Sequence, residues 1–224
     1  MVNQKVFDDV KKFILDDVKK GDLIPNKSLN VRDFKNIRLI NLQEKGYLVC
    51  DFGNKYEVFV IKSNNLLSAI DSRDVEKAIH TCISKGGKPI ALIHTHPMST
   101  VIPSQCDLMS FYDLKERYGV EMFCIARPRD EKTVRYLCFK NPPIKCLGKD
   151  CYTRCYIPRT SEHVFNSIGN KCDRDFCMIN IVGLELPIVS DKFANEIEHR
   201  YVKYVEDFIK RYNLRDVKVI LFDR

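Results

Sequence analysis

The chain has 224 residues, of which 45% are hydrophobic and 30% charged, and this balance excludes a disordered chain because it can bury a substantial core. Its formal net charge is +7, which permits an acidic or nucleic-acid partner without requiring one. No apolar run approaches the roughly 20 residues of a membrane-spanning helix, and residues 1–20 lack the apolar stretch of a secretory signal. These features predict a soluble, cytoplasmic protein.

The first part of the sequence predicts one amphipathic helix. Apolar residues recur at helical spacing across residues 4–20, and Gly21 and Pro25 interrupt the pattern. Residues 29–43 are ambiguous between helix and strand. The sequence therefore sets residues 1–28 apart as an N-terminal helix.

Strands and helices then follow one another through a central segment, residues 29–141. A turn containing Gly53 joins two strand-like runs, and a later apolar run predicts a buried strand that ends at Pro97, because proline cannot donate to a sheet. In chain order, the predicted elements are strands at 47–52, 56–61 and 66–70, a helix at 73–84 capped by Asp71 or Ser72, a strand at 89–93, a helix at 107–117, and strands at 121–126 and 133–139. This order predicts a fold of the α/β or α+β class.

A break at Asn141-Pro142-Pro143 marks the start of a cysteine-rich C-terminal extension, residues 142–224. The extension is predicted to contain a strand at residues 178–182, a long helix with one apolar face at 190–212, and a terminal strand at 217–222. The sequence contains no internal repeat and no low-complexity tract.

Two histidines stand two residues apart at the end of the buried strand. Because the side chains of a strand alternate between its faces, His94 and His96 point the same way. Ser104-x-x-Asp107 follows, which supplies a carboxylate and is also a good capping box for the next helix. Two imidazoles and one carboxylate with a further position open are typical of a catalytic zinc site.

The spacing of these residues resembles the motif of the JAMM (MPN+) metalloprotease family, and the relative RadC carries a similar pair of motifs. The resemblance covers residues 87–113 and is weaker upstream. It implies a mixed sheet flanked by helices, a zinc ion held by His94, His96 and Asp107, and Ser104 as hydrogen-bond donor to the oxyanion. The family includes isopeptidases that remove ubiquitin and ubiquitin-like modifiers, so the resemblance also implies a ubiquitin-like protein substrate.

The family uses an upstream glutamate as general base, and two residues here could take that role. Glu44 precedes the first strand of the predicted hairpin, whereas Glu57 lies within the second strand. Glu44 is favoured, because choosing Glu57 leaves fewer residues before His94 than the family usually has. Glu44 is followed by Lys45-Gly46, which departs from the apolar residues usual in the family at that point.

The chain contains ten cysteines. Those within apolar runs are predicted to be small buried hydrophobes, namely Cys50, Cys82, Cys124 and Cys138. Five more lie in the extension and could bind a second, structural zinc or form disulfides in an oxidising compartment, namely Cys146, Cys151, Cys155, Cys172 and Cys177. Their spacing differs from the Cys-x2-Cys pairs of many structural zinc sites, so both alternatives stay open.

The sequence supports three hypotheses about function. The leading one is a zinc-dependent metalloprotease or isopeptidase acting at the C-terminal tail of a ubiquitin-like modifier. The alternatives are a catalytically inactive MPN-type interaction scaffold and a RadC-like protein associated with DNA, which the basic residues 140–159 motivate and which predicts salt-sensitive DNA binding. A protein partner is favoured over nucleic acid, and no membrane partner is expected.

Overall fold

The computed structural model describes residues 4–32, 37–62, 70–146, 155–169, 172–181 and 184–224. The helices within them are α1 (Gln4–Lys19), α2 (Ser72–Ser84), α3 (Gln105–Tyr118), α4 (Ser161–Ile168) and α5 (Asp191–Arg211). The strands are β1 (Lys45–Asp51), β2 (Tyr56–Lys62), β3 (Lys88–Thr95), β4 (Met122–Pro128), β5 (Val134–Lys140), β6 (Lys145–Cys146), β7 (Cys155–Tyr156), β8 (Phe176–Ile181), β9 (Leu184–Val189) and β10 (Lys218–Asp223). This mixture confirms the predicted α+β class. Among these described helices, none is both long and apolar enough to span a membrane.

Six strands form one mixed sheet in the order β10-β5-β4-β3-β1-β2. Strands β3 and β4 are parallel, and the other neighbouring pairs are antiparallel. The predicted hairpin is confirmed as β1 and β2, with Gly53 in the turn at a φ of 84°, a conformation that favours glycine. Residues 66–69 of the strand predicted after this hairpin lie outside the described residues, as do residues 33–36 of the ambiguous segment.

Alternation along β1 sends its side chains into two separate cores. Leu48 and Cys50 join a cluster with apolar residues of α2, α3 and α5, whereas Tyr47 and Val49 face the apolar side of α1. All four are fully buried, as expected for a strand covered on both faces. The sheet is therefore held between α1 on one side and α2, α3 and α5 on the other.

The C-terminal extension is built into this core. β10 pairs with β5 along its length, from Lys218 opposite Lys140 to Asp223 opposite Arg135. The long helix predicted for residues 190–212 is confirmed as α5, and its apolar face is buried against the larger core cluster. The extension also contains α4 and β9, which the sequence did not predict, and β9 pairs with β8 as a hairpin.

A buried set of charges joins α5 to the central sheet. Arg127 on β4 is fully buried, and its guanidinium contacts Asp191 at 2.8 Å and Glu198 at 2.7 Å. Arg135 on β5 contacts Glu198 at 3.4 Å and Asp223 at 2.6 Å. Because a buried charge is tolerated only with partners, these pairs specify where α5 lies on the sheet.

Eight cysteines stand in pairs at disulfide distance. Cys50 pairs with Cys82, whose Cα atoms are 6.2 Å apart, and Cys124 pairs with Cys138, whose Cα atoms are 4.1 Å apart. All four are buried, as predicted, and the pairing is a feature that the prediction of small buried hydrophobes did not include. The reason is non-local: the first pair joins β1 to α2, and the second joins residues directly opposite on β4 and β5.

Candidate metal centre

The register of β1 against β3 brings an upstream glutamate to the two histidines. Gly46 is the partner of His94 in this antiparallel pair, and the backbone N–H of Lys45 donates to Thr95 Oγ1 at 2.9 Å. In an antiparallel pair, the position two residues before Gly46 faces the position two residues after His94, so Glu44 lies beside His96. Its Oε1 lies 3.9 Å from His96 Nε2.

The predicted ligand atoms converge on one point. The Nε2 atoms of His94 and His96 are 3.0 Å apart. Asp107 Oδ1 lies 3.4 Å from His94 Nε2, and its Oδ2 lies 3.4 Å from His96 Nε2. The side chain of His94 is 4% exposed and that of Asp107 17%. The structure therefore brings together the three residues that the motif singled out, in a largely buried site.

A backbone carbonyl fixes the orientation of His96. Nδ1 of the ring lies 3.0 Å from the carbonyl oxygen of Thr100. Because a carbonyl can only accept, Nδ1 must carry the proton, and in the neutral ring Nε2 then presents its lone pair to the site. This arrangement is typical of histidines that bind metals through one nitrogen while the other donates to the protein.

The first turn of α3 positions Asp107. The Oγ of Ser104 accepts from the backbone N–H of Asp107 at 3.0 Å, and Oδ2 of Asp107 accepts from the backbone N–H of Ser104 at 2.7 Å. The predicted capping box is thus confirmed. It holds the carboxylate of Asp107 at the helix start, with its two oxygens directed toward the histidines.

This donor set fits a divalent metal ion. Within the described residues, Glu44, His94 and His96 offer ligand atoms that all lie within 4.8 Å of one another. Asp107 is not in that group of three, but its oxygens lie 3.4 Å from Nε2 of each histidine. Facing Nε2 atoms at 3.0 Å are favourable only with a proton or a cation between them, and nitrogen and carboxylate ligands suit zinc and other first-row divalent ions.

Burial and charge shift the pKa values of these groups in different directions. Burial lowers the pKa of His94 to about 4. Burial opposes protonation of His96 as well, but the carboxylates of Asp107 and Glu44 outweigh it and raise the pKa of His96 to about 9. Burial raises the pKa of Glu44 to about 7. For Asp107, the two histidines outweigh burial and hold its pKa well below the ordinary value.

The alternative base, Glu57, lies elsewhere. It is on β2 opposite Cys50, and its carboxylate pairs with Lys55 at 2.5 Å on an exposed part of the strand. The Lys55 ammonium lowers the pKa of Glu57, which is the opposite of the shift at Glu44. The structure brings Glu44 into the candidate site and leaves Glu57 outside it.

Two cavities meet at the candidate site. Glu44, Ser104 and Asp107 line both of them. The first has a volume of about 370 Å³ and is walled by α4 and the β8–β9 hairpin of the extension. The second has a volume of about 480 Å³ and lies between α2 and α3. The site is therefore open to an extended ligand on two sides.

The cysteines of the extension are not gathered at one point in the described part of the chain. Cys146 pairs with Cys155, and Cys172 pairs with Cys177, each at disulfide distance. Cys151 lies outside the described residues. These pairs correspond to the disulfide alternative, and the described residues contain no group of three metal-capable donors that includes a cysteine.

Sequence reasoning missed two groups that support the site. Thr100 acts through its backbone carbonyl, which carries no sequence signal. Glu198 on α5 accepts from the backbone N–H of Val101, in the segment after His96, at 3.0 Å, although 97 residues separate them. A buried glutamate in the apolar face of a predicted helix is a signal that could have found it.

Comparison of the chain with family models and with curated proteins finds no significant match.

Proposed function

We propose that this protein is a zinc-dependent peptidase of the JAMM type that hydrolyses a peptide or isopeptide bond, at the C-terminal tail of a ubiquitin-like modifier. The convergence of His94, His96 and Asp107 beside Glu44, where two cavities meet, carries the proposal. A zinc ion held by the first three residues would supply Lewis-acid activation of water and of the scissile carbonyl.

Glu44 is the general base in this proposal. A carboxylate with a pKa of about 7 is balanced between accepting and releasing a proton near neutral pH. Its carboxylate takes the proton of the attacking water and passes it to the departing amine. The position of Glu44 beside His96 and at the junction of the two cavities supports this role.

Ser104 is the donor to the developing oxyanion. Its Oγ already accepts the N–H of Asp107, so the hydroxyl proton is not needed for the helix cap. Ser104 lines both cavities, which supports the idea that this proton points toward a bound substrate. A preorganised donor of this kind contributes about 3 to 4 kcal/mol to the stabilisation of a transition state.

The extension-side cavity supports a substrate segment with basic side chains. Glu162 and Glu185 line it in addition to Glu44 and Asp107, and the described lining residues include no lysine or arginine. Apolar residues of β9, Leu186 among them, form the rest of the wall. An extended peptide with alternating apolar and basic side chains complements such a surface.

Zinc content and cleavage test the proposal together. Purified protein should contain stoichiometric zinc by mass spectrometry, and His96→Ala should lose it. Glu44→Gln should retain zinc and lower the rate of cleavage of a ubiquitin-like fusion by roughly 10²–10⁴-fold, because the base is lost. Glu57→Gln is the matched control and should cleave like the unmodified protein. Full activity in Glu44→Gln would contradict the assignment.

A non-hydrolytic scaffold is the second candidate, and one observation favours it. Glu44 lies within ligand distance of the same point as His94 and His96, so it could close the fourth position of the metal. Cobalt substitution separates the candidates through the visible spectrum. Glu44→Gln changes the cobalt spectrum if Glu44 is a ligand, and leaves it unchanged if Glu44 is the base.

A further inference from the structure

The segment between His96 and Ser104, residues 97–103, is held by distant parts of the chain, among them Ser161, whose backbone N–H donates to the carbonyl of Pro103 at 2.8 Å. Asn26 Nδ2 donates to the carbonyl of Ser99 at 3.1 Å, and the N–H of Val189, at the end of β9, donates to the carbonyl of Met98 at 3.0 Å. Glu198 on α5 accepts from Val101. The connection between the two halves of the metal motif is therefore positioned from outside the motif.

One peptide group of this segment lies between His96 and Glu198. Its carbonyl, from Thr100, accepts from His96 Nδ1 at 3.0 Å, and its N–H, from Val101, donates to Glu198 Oε1 at 3.0 Å. Because a peptide group is planar, fixing the direction of its N–H also fixes the direction of its carbonyl. Thr100 and Val101 are 0% exposed and Glu198 is 1% exposed, so bulk water does not replace either bond.

The carboxylate of Glu198 is itself immobilised as an anion. Arg127 donates from Nε to Oε1 at 2.7 Å and from Nη2 to Oε2 at 3.1 Å. Arg135 adds a third contact, from Nη1 to Oε2, at 3.4 Å. A bidentate arginine leaves the carboxylate little freedom to rotate away from the peptide group.

We propose that Glu198 is a positioning residue for the metal centre and acts through the Thr100–Val101 peptide group to hold His96 with its proton on Nδ1. A hydrogen bond from the N–H to an anion makes the carbonyl at the other end of the peptide a better acceptor. That carbonyl holds the imidazole so that Nε2 faces the site. This inference rests on the proposed function only in taking His96 as a metal ligand.

A matched pair of variants tests the inference. Glu198→Gln weakens the acceptor of the Val101 N–H, whereas Asp191→Asn removes a negative charge from the same Arg127 without contacting the peptide group. Zinc affinity is measured on the full chain by competition with a chromophoric chelator. Glu198→Gln should lower it roughly tenfold, the smaller of the losses seen for supporting groups around metals, and Asp191→Asn should lower it far less. Equal losses in the two variants would overturn the inference.

A second measurement needs no variant and tests the link between the Thr100–Val101 peptide group and His96, so it can overturn the inference even if Glu198→Gln fails to fold. In metal-free protein, nitrogen-15 shifts of the His96 ring, followed with pH until the ring is neutral, report which nitrogen carries the proton. The inference requires the proton on Nδ1, and a proton on Nε2 overturns it. A chain that binds zinc, and loses affinity for it in Glu198→Gln, but cleaves no ubiquitin-like fusion would refute the proposed function and leave the positioning role standing.

Discussion

His94 and His96 stand two residues apart on one strand, yet their surroundings shift their protonation in opposite directions. Burial among apolar groups favours the neutral form of His94, whose pKa is lowered to about 4. Asp107 and Glu44 favour the charged form of His96 and raise its pKa to about 9. Without a metal, His96 therefore holds the proton that occupies the centre of the site, and a metal ion must displace it.

The raised pKa of His96 predicts that the affinity of the site for zinc rises with pH. Because the pKa of His96 is raised to about 9, its Nε2 is protonated at lower pH, and binding at pH 7 releases a proton. The apparent affinity should rise about tenfold per pH unit from pH 7 toward pH 9, as expected for one competing proton. Isothermal titration calorimetry in buffers of different ionisation enthalpy measures the proton release. An affinity that is independent of pH in this range would contradict the prediction.

The helix α3 shows how one local motif serves both folding and the site. Its N-terminal turn is a capping box, and its C-terminus ends at Gly119 with a φ of 71°, a conformation that favours glycine. The cap satisfies backbone groups at the helix start and at the same time sets the direction of the Asp107 carboxylate. Helix stability and ligand geometry are therefore coupled at Ser104.

Removal of this cap should affect both properties. Ser104→Ala should cost about 1 kcal/mol of stability, typical of a lost N-cap, and should also weaken zinc binding, because the turn that directs Asp107 loses the bond from the Asp107 backbone N–H to Ser104 Oγ. The matched control is Asp71→Ala, which removes the cap of α2, where Asp71 accepts from the N–H of Arg73. Chemical denaturation and zinc competition measure the two effects. If both variants weaken zinc binding equally, the coupling at Ser104 is absent.

At the level of elements, local patterns predicted the parts of the fold that depend on nearby residues. Periodicity located α2, α3 and α5 to within about two residues at each end, and the resemblance to the JAMM motif selected His94, His96 and Asp107. The sequence favoured Glu44 over Glu57 by the number of residues before His94, and the register of β1 against β3 brings Glu44 beside His96.

Features that depend on distant residues could not be predicted. Cys50 and Cys82 meet because α2 lies over β1, and no pattern along the chain specifies that contact. The contact between Glu198 and Val101 likewise depends on where α5 lies on the sheet. The hairpin partner β9 was missed because Pro187 interrupts its strand-like pattern.

At the scale of the whole molecule, buried and partly exposed charges connect α5, β5, β10 and the end of β4 across the sheet. Arg129 and Arg127 contact Asp191, and Arg129 also contacts Asp223. Partial burial opposes ionisation of Asp191, but the two arginines outweigh it and lower its pKa to about 2. The pKa of Asp223 is lowered as well, mainly because Arg135 outweighs its burial.

This network predicts a loss of stability in acid. A carboxylate whose pKa is lowered in the folded state stabilises that state above its ordinary pKa of about 4, and the contribution disappears as the pH falls toward 2. The free energy of unfolding in urea should therefore fall between pH 4 and pH 2. Asp191→Asn should be less stable at pH 7 and should show a shallower fall. An equally steep fall in Asp191→Asn would show that other groups control the acid transition.

The pairing of β10 with β5 has a consequence for how the protein matures during translation. Residues 218–223 leave the ribosome long after their partners in β5, and Glu198 emerges after the histidines that it supports. A nascent chain that already carries His94, His96 and Asp107 still has an unpaired sheet edge and an unanchored metal motif. The segment between the two histidines and Asp107 should therefore gain its Glu198 contact only after α5 has been synthesised, and β5 should stay an unpaired edge until β10 follows.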